Sequence, residues 1–536
     1  MADLATRASR SLRRRWSHAT SDARIRGLNQ DIENHAPSRP GERPVVFFNA
    51  STRLEGLSLN AAYSLITRWA VQLAGVPAIN FYCTSGMTRC VLGTNREHLD
   101  QAPPCAGCTG QSQALYSHSA ARAFQYQADP ALLEALEGRS LEDLMAFNYQ
   151  DLPLGALALP SMRWILRRHS LVDDPGTRWL YDQYIRSAWQ VSQAFNRLLD
   201  ETNPRAVVVF NGMFYPEATA RRVAEQRGLP VISHEVGLRP FTAFFTTGDA
   251  TAYPIHIPET FELTPEQNRR LDDYLEKRMQ GNFTMAGVRF WPEMKGLDDD
   301  FLARAGQFQQ VVPVFTNVIF DTSQPHSNVV FPHMFAWLDQ VVALAKNHPE
   351  TLFVIRAHPD EARPGKESRE SVSEWVHRNA IDRQANILFV EPQQYFSSYE
   401  LIQRAKFVMV YNSTIGLEAA IMGAPVLCGG RARFTQLPTV FFPKTPEDYY
   451  REAEHFLSAD HIEVPPEFQR NARRFLYYQL YRTSLPFDQF IEEDGVWQGY
   501  VRIKDLDFTA FDPKNSPVLQ TIVDGLLNGG DFLLDE

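Results

Sequence analysis

Two stretches in the second half of the chain constrain its fold more than any other feature. Residues 354–359 read Val-Ile-Arg-Ala-His-Pro, and residues 408–414 read Val-Met-Val-Tyr-Asn-Ser-Thr. In both, a short apolar run breaks into polar residues, which is typical of a buried parallel strand and the loop after it. Ligands of open α/β sheets bind beyond the carboxyl ends of the strands. His358 and the polar cluster that starts at Asn412 fall at such ends, so we expect them to form a ligand site.

A helix is predicted directly after the second stretch, ending at the Gly-Ala-Pro sequence of residues 423–425. We expect Ser413 and Thr414 to cap this helix and its N-terminus to bind a phosphate group. Gly416, in the first turn, is expected to belong to the same binding site, and Glu418 is placed to accept hydrogen bonds from hydroxyls such as a ribose diol. The segment therefore predicts a nucleotide site.

Four of the five cysteines, Cys83, Cys90, Cys105 and Cys108, lie close together in the sequence. The C-x-x-C of the last two supplies half of a tetrahedral thiolate site. A structural zinc ion or an iron–sulfur cluster would suit such a set. The alternative is a group of free thiols or one redox pair. Both interpretations stay open, and a bound metal would be structural because the set leaves no open coordination position.

The first half of the chain alternates strands and helices. Residues 44–49 and 78–82 are predicted strands on either side of a helix over 60–73, which indicates a parallel sheet. Residues 206–210 and 230–233 are two further predicted strands. A second Rossmann-like domain therefore precedes the one that holds the ligand site.

An acidic residue follows the last of these strands, in the sequence His-Glu-Val-Gly-Leu-Arg-Pro of residues 234–240. Glu235 stands at the strand end beside Gly237, which lets a ligand approach closely, and this placement suits a general base. In the alternative interpretation Glu235 pairs with Arg239 or caps the following turn.

These motifs together resemble those of a known family. R-x-H-P after a strand, followed by N-S-T-x-G-L-E-A-x-x-x-G-x-P-V, resembles the nucleotide-binding half of a GT-B glycosyltransferase. More narrowly, it is similar to the capsule polysaccharide biosynthesis family, which includes β-Kdo transferases that use a CMP-sugar. An E-x-G followed by R-P also recurs in that family. The resemblance implies an α/β chain of GT-B type, with two Rossmann-like domains of parallel sheets facing a central cleft, a helical insertion and C-terminal helices.

The resemblance also implies roles for single residues. His358, with Ser413 and Thr414, would stabilise the leaving phosphate, and Glu235 would take the proton of the acceptor hydroxyl. Arg356 is a further phosphate candidate, which we expect to face away from His358 and to contribute less. No D-x-D motif stands at a suitable strand end, so we expect catalysis without a metal ion.

Five regions are expected along the chain. In order they are a basic N-terminal arm (1–43), an N-terminal Rossmann-like acceptor domain with the cysteine cluster and a helical insertion (44–254), an interdomain connection (255–300), a C-terminal Rossmann-like nucleotide-sugar domain (301–465), and C-terminal helices with an acidic tail (466–536).

Charge and hydropathy narrow the location and the partners. The net charge of −10 argues against general nucleic-acid binding. No apolar run approaches the roughly 20 residues that cross a bilayer, and the Arg-rich N-terminus lacks an apolar signal, so a cytoplasmic location is expected. The arm at residues 1–26 is interpreted either as a solvated, partly disordered tail or as a contact with the anionic inner face of the cell membrane.

The leading hypothesis is an inverting transferase that uses a nucleotide-sugar donor, CMP-Kdo or another CMP-sugar, and a surface-polysaccharide or glycolipid acceptor. The rival enzymes are a sugar-nucleotide epimerase of GT-B shape and a polymer glycerophosphotransferase. A third hypothesis is a catalytically silent subunit that binds a nucleotide sugar. The lack of G-x-G-x-x-G and of G-x-x-x-x-G-K-[ST] argues against dinucleotide oxidoreductases and P-loop NTPases.

Overall fold

The computed structural model describes residues 2–37, 39–51, 54–279, 295–496 and 499–536, with side chains described from residue 17 onward in these ranges. The strands are β1 (Val45–Phe48), β2 (Ala78–Cys83), β3 (Ala121–Phe124), β4 (Ala206–Phe210), β5 (Val231–Val236), β6 (Thr242–Thr247), β7 (Gln310–Phe315), β8 (Thr351–Arg356), β9 (Ile387–Val390), β10 (Val408–Val410), β11 (Val426–Cys428), β12 (Leu485–Pro486), β13 (Ile491–Glu493) and β14 (Val501–Ile503). The helices are α1 (Ala2–His35), α2 (Leu59–Leu73), α3 (Cys105–Leu115), α4 (Pro130–Leu136), α5 (Leu141–Met145), α6 (Leu154–Leu166), α7 (Pro175–Thr202), α8 (Tyr215–Gln226), α9 (Pro265–Met279), α10 (Asp299–Ala305), α11 (Gln324–Ser327), α12 (Met334–Asn347), α13 (Val372–Arg378), α14 (Ser398–Gln403), α15 (Ile415–Ile421), α16 (Pro446–Ser458), α17 (Pro466–Tyr477) and α18 (Pro517–Asn528).

Two separate sheets confirm the predicted pair of Rossmann-like domains. Among the described residues, the first sheet has seven strands in the order β12-β6-β5-β4-β1-β2-β3, and the second has five in the order β11-β10-β7-β8-β9. All pairs of the second sheet are parallel, and in the first only β6 and β12 run antiparallel to their neighbours. Strand order reverses beside β1 in one sheet and beside β7 in the other, and ligands bind at such switch points.

The apolar runs form central strands because both faces of each sheet are covered. Val45 and Phe47 of β1 pack into one core, and Val46 and Phe48 pack into another on the opposite face. The C-terminal sheet is likewise enclosed between two apolar clusters. Strands buried on both faces are near-continuously apolar, which is why they could be recognised from the sequence.

The C-terminal region folds back on the first domain. β12 pairs with β6 at the edge of the first sheet, and further along the chain β14 pairs with β13 and α18 packs on α2. Leu485, Val518 and Ile522 are buried in the core of the N-terminal domain. The end of the chain therefore completes that core.

The N-terminal arm is helical rather than a disordered tail. Ile25, Leu28 and Ile32 of α1 are buried against the N-terminal domain, and they form an apolar stripe at helical spacing. Arg24 pairs with Asp505 at 2.7 Å. The arginines of residues 7–15, on which the predicted membrane contact depends, lie outside the described side chains. Among the described residues, no helix is both long and apolar enough to span a bilayer.

Candidate functional site

A cavity of about 740 Å³ opens at the carboxyl edge of the C-terminal sheet, where the strand order reverses. It is lined by residues that follow β7, β8 and β10 and by residues of α9 and α14: Arg278, Phe315, Thr316, Arg356, Ala357, His358, Pro359, Ser398, Tyr399, Ser413, Thr414, Ile415 and Glu418. Five of the sequence-predicted site residues, Arg356, His358, Ser413, Thr414 and Glu418, therefore meet at one place.

Arg356 and His358 line the same cavity, so the expectation that Arg356 faces away was wrong. Residues two apart in extended chain point to the same side. The Arg356 side chain is buried, and its Nη1 donates to the carbonyl of Phe396 at 2.5 Å. Burial lowers the pKa of Arg356 to about 10, which leaves it cationic at neutral pH. The cavity thus contains a fixed positive charge beside the histidine.

His358 caps a short helical turn at the end of β8. The backbone N–H of Asp360 donates to its Nδ1 at 3.2 Å. Burial lowers the pKa of His358, and a neutral ring whose Nδ1 accepts carries its hydrogen on Nε2. The backbone turn therefore selects a tautomer that can donate a hydrogen bond from Nε2.

Glu418 is engaged by protein groups on both oxygens. Nε of Arg278 donates to Oε1 at 2.6 Å, and the Tyr399 hydroxyl donates to Oε2 at 2.6 Å. Burial would lower the pKa of Arg278, but the Glu418 carboxylate more than offsets it, so the arginine stays charged. The predicted contact between Glu418 and a ribose stays a prediction, and it would use lone pairs beyond those already accepting.

Ser413 and Thr414 lie in the wall of the cavity, just before α15. Thr414 occupies the N-cap position, but its side chain makes no capping hydrogen bond. The expected side-chain cap is therefore wrong at Thr414, because its backbone is already helical, with φ −61° and ψ −19°. A cap residue with extended backbone would be needed to reach the first amides.

Two residues of the same motif lie outside this cavity. Asn412 donates from Nδ2 to Ser327 Oγ at 2.5 Å, which fixes the loop after β7. Gly416 packs against β10, where a Cβ atom would stand 2.9 Å from Val410 Cγ2 and 3.1 Å from Phe434 Cζ. Gly416 thus allows close helix–strand packing, and its part in nucleotide binding stays a prediction.

A second space, a crevice of about 1540 Å³, continues from the cavity toward the N-terminal domain. The two share Arg278, His358, Ser413, Thr414 and Glu418. Leu238, Thr251 and Ala252 of the N-terminal domain line it, together with Asp321, His326, Asn412, Arg431 and Arg433. The cavity and crevice therefore form one continuous site between the domains.

Polar contacts join the two sides of this crevice. Nε2 of His326 lies 3.1 Å from Asp249 Oδ2 and 3.0 Å from Thr251 Oγ1. His326 comes from the C-terminal domain, and Asp249 and Thr251 follow β6 of the N-terminal domain. No sequence motif connects these residues, which lie far apart in the chain.

Glu235 is not among the residues that line the crevice, although its charge interacts with that of Arg433, which lines it. Its carboxylate accepts hydrogen bonds from Asn211 Nδ2 at 2.7 Å, from the Val236 N–H at 2.8 Å and from Asn60 Nδ2 at 3.4 Å. Burial raises the pKa of Glu235, and these bonds together with nearby Arg433 offset part of that rise. The predicted role as a base stays untested.

The alternative pairing of Glu235 with Arg239 is not found. The Arg239 guanidinium instead lies 5.3 Å from the centre of the Tyr481 ring and donates to the Ser484 carbonyl at 3.3 Å. Arg239 therefore joins the N-terminal domain to the C-terminal region, and Glu235 is held by amides.

The predicted cysteine cluster forms the wall of a third space, of about 420 Å³, beside the N-terminal sheet. Cys83, Cys90, Cys105 and Cys108 all face it, and none forms a disulfide. Within the described residues, no three His, Cys, Asp or Glu side chains already stand in metal-binding spacing.

Arg278 and Tyr399 are the site residues that the sequence did not reveal. Arg278 lies 140 positions from Glu418, in a charged helical stretch with no recognisable motif. Tyr399 lies in α14, which carries no chemical signature either. Part of the predicted connection, residues 280–294, falls outside the described chain.

Two Rossmann-like domains with a shared cleft define the class of fold as GT-B. Residues 300–437 match the model of the family described as "Capsule polysaccharide biosynthesis protein". The match covers β7 to α15 and the loop after β11, and so the residues that form the cavity, apart from Arg278. The resemblance predicted from the two C-terminal motifs is confirmed over this segment.

Solved structures show more distant similarity. Thermosulfurimonas dismutans KpsC, a β-Kdo 2,4 transferase, is 14% identical over 52% of this chain and 80% of its own, with a TM-score of 0.33. UDP-GlcNAc 2-epimerase from Neisseria meningitidis is 13% identical over 81% and 98%, with a TM-score of 0.24. Sucrose-phosphate synthase from Thermosynechococcus elongatus is 11% identical over 82% and 94%, with a TM-score of 0.27. No curated protein matches the chain.

Proposed function

We propose that this protein is an inverting glycosyltransferase of surface-polysaccharide assembly, which needs no catalytic metal ion. The cavity at the C-terminal sheet binds the phosphate of a nucleotide-sugar donor, CMP-Kdo or another CMP-sugar. The crevice receives a glycan or glycolipid acceptor. The observation that carries the proposal is the convergence of Arg278, Arg356 and His358 with two hydroxyl side chains at the switch point of the sheet.

The leaving nucleotide requires charge stabilisation in a site shielded from water. Arg356 supplies a positive charge, and His358 donates from Nε2. Ser413 and Thr414 add hydroxyl donors. Preorganised donors of this kind act where charge develops, so the phosphate can leave without a metal ion.

The acceptor hydroxyl loses its proton to a base as its oxygen attacks the anomeric carbon and the bond to the phosphate oxygen breaks. We assign this role to Glu235. Its raised pKa suits a proton acceptor near neutral pH, and the Asn211 and Asn60 amides orient it. Because Glu235 does not itself line the crevice, this role requires that the acceptor reaches beyond the lining residues.

The surroundings of the enzyme belong to the same proposal. A cytoplasmic location, with the basic arm of residues 1–43 touching the inner face of the cell membrane, would bring the crevice to a lipid-linked acceptor. This part of the proposal is supported by the arginines of the sequence alone.

Nucleotide binding tests the cavity. Purified protein is titrated with CMP, CDP, UDP and GDP by calorimetry and by thermal shift, since a ligand of the native state raises its stability. His358→Ala removes a hydrogen bond to a charged group, worth about 1.5–3 kcal/mol, and is expected to weaken binding about 10- to 100-fold. His377→Ala changes an exposed histidine of the same domain and is the matched control.

The outcomes separate the hypotheses. Binding of CMP alone, weakened only in His358→Ala, supports the CMP-sugar transferase. Preference for UDP or GDP keeps the transferase and removes the CMP donor. Failure to bind any of the four nucleotides overturns the proposal. Incubation with a sugar nucleotide then distinguishes transfer, which releases free nucleotide when acceptor is present, from epimerisation, which does not.

A further inference from the structure

We propose that Cys83, Cys90, Cys105 and Cys108 bind a metal through four thiolates, as a structural centre in the N-terminal domain. The shared chemistry is soft sulfur coordination, which suits a zinc ion or an iron–sulfur cluster. The proposal is independent of the transfer reaction, because the cavity of these cysteines shares no lining residue with the nucleotide cavity or the crevice.

The first reason is convergence from different elements. Cys83 ends β2, Cys90 lies in the following loop, and Cys105 and Cys108 lie in the first turn of α3. All four nevertheless line one space of about 420 Å³, together with residues of the loop after β1. Four cysteines brought to one cavity without forming a disulfide are the ligand set of a closed metal site.

The second reason is the backbone around two of the sulfurs. The Gly86 N–H donates to Cys83 Sγ at 3.1 Å, and the Gly93 N–H donates to Cys90 Sγ at 3.2 Å. Each donor lies three residues after its cysteine, so the same turn is built twice. Outer contacts of this kind fix the direction of a sulfur and orient metal ligands.

The third reason is that glycine is needed where one of these turns closes. A Cβ atom at Gly93 would stand 2.8 Å from Cys90 Sγ and 2.9 Å from Pro103 Cβ. The chain thus passes close to the sulfur on two sides. The turn is held from behind as well, because Thr94 Oγ1 donates to the Cys90 carbonyl at 2.7 Å and accepts from the Tyr184 hydroxyl at 3.1 Å.

The fourth reason is the loop itself. Residues 84–104 join β2 to α3 without helix or strand, and long irregular segments inside a compact domain need something to order them. Three of the four cysteines lie at the two ends of this segment or just beyond, at positions 83, 105 and 108, and the fourth, Cys90, lies within it. A metal bound to all four would cross-link the loop to the sheet and to α3.

The sulfurs are not yet in ligating spacing in this structure, as the described residues contain no assembled group of three metal-type side chains. Cysteine has one side-chain torsion, and its staggered rotamers place Sγ in different directions from the same backbone. Binding therefore requires rotation of side chains around an existing cavity and no rearrangement of the strands. Four thiolates leave no open position, so the role is structural.

Metal analysis of the full-length protein tests the proposal. Protein produced in medium supplemented with zinc and iron is purified without oxygen and analysed by mass spectrometry, together with a Cys105→Ser/Cys108→Ser variant. We expect about one zinc ion per chain, or iron with acid-labile sulfide and visible absorption, and loss of that metal in the double variant. Cys428→Ser is the control, since Cys428 is buried on β11 of the other domain.

The two metal arms are distinguished by colour and sulfide, and either supports the centre. Absence of both metals from the wild-type protein overturns it, as does equal metal loss in Cys428→Ser. If the double variant fails to fold, the wild-type protein is titrated with an organomercurial that blocks thiols. Release of metal in step with about four thiol equivalents is then expected, and a metal that stays bound after all thiols react contradicts the assignment.

Discussion

The carboxyl edges of the two sheets differ in the charge that they place near the shared crevice. The C-terminal edge holds Arg278, Arg356 and His358 around a cavity. The N-terminal edge holds carboxyl groups instead, the fully buried Glu217 and the partly buried Glu235, and desolvation raises the pKa of each. The C-terminal edge is suited to binding an anion, and the N-terminal edge is suited to accepting or holding a proton.

This difference teaches how the proposed reaction is divided. Nucleotide binding depends on one domain, since every lining residue of the smaller cavity comes from position 278 or later. Proton transfer depends on the other domain, and so on how the two meet across the crevice. Replacement of the proposed base at the N-terminal edge is therefore expected to reduce turnover without affecting nucleotide affinity.

Glu235→Gln is the most direct test of this division between nucleotide binding and proton transfer, and it is expected to have the largest effect. The amide keeps the size of the side chain but has one acceptor oxygen, so it can accept from only one of Asn211 and Asn60, whose Nδ2 atoms donate to different oxygens of the carboxylate. It cannot accept the proton of the acceptor hydroxyl. We expect kcat to fall about 100- to 10,000-fold while nucleotide affinity stays unchanged. Steady-state kinetics and calorimetry on the same preparation measure the two effects.

A control comes from the other acid of the same edge. Glu217→Gln changes a carboxyl group that is fully buried and lines neither space, so its turnover should stay close to wild type. Equal turnover in wild type and Glu235→Gln would refute the assignment of the base, and His326 would become the next residue to change.

Glu217 and Glu361 allow the two domains to be compared through their stability. Each is a buried acid, and they belong to different domains. Burial raises the pKa of Glu217 to about 8 and that of Glu361 to about 8, from ordinary values near 4.5. The folded state then binds protons that the unfolded state has released. The free energy of unfolding is expected to fall between about pH 4.5 and 8, on the order of 4 kcal/mol for each group.

Urea unfolding at pH 5.5 and pH 8 measures this loss. Glu217→Gln and Glu361→Gln should each reduce the pH dependence of the free energy of unfolding. The two carboxyl groups differ in the hydrogen bonds that they receive. Glu217 receives one bond, from Ser51 Oγ at 2.6 Å, and its Oε2 has no partner among the described residues, whereas the Val372 N–H lies 3.1 Å from both oxygens of Glu361. A pH dependence unchanged in both variants would contradict the burial argument.

The C-terminal half of the site was predictable because its residues follow apolar runs. A strand buried on both faces is recognisable from composition, and the polar residues at its end must lie at the sheet edge. His358, Ser413 and Thr414 were placed correctly by that rule alone. Arg356 was misplaced because residues two apart in an extended chain were assigned to opposite faces, although they share one face.

The remaining features depend on contacts between distant parts of the chain. Arg278 meets Glu418 only because α9 packs on the C-terminal sheet, and β12 joins the first sheet only after the chain has crossed back. Neither Arg278 nor β12 has a local sequence pattern that predicts which residue or strand it contacts. The packing role of Gly416 was also not predictable, since a glycine that allows close packing and one that admits a ligand look alike in sequence.

The contact between Asp249 and His326 offers the smallest effect and the finest test of how the two edges are joined. Burial would raise the pKa of Asp249, but hydrogen bonds with His326 and Thr251 more than offset it, so its pKa lies below the ordinary value. The stabilisation is therefore present at neutral pH and is lost as pH falls below about 4. Asp249→Asn should cost about 1 kcal/mol in urea unfolding at pH 7, and the difference from wild type should shrink at pH 3.

The matched control, Arg369→Ala, removes an exposed ion pair with Glu97 that also joins the domains and is expected to cost less, about 0–1 kcal/mol. An equal cost in both variants, or a cost in Asp249→Asn that does not depend on pH, would show that the crevice contact adds nothing beyond an ordinary surface pair.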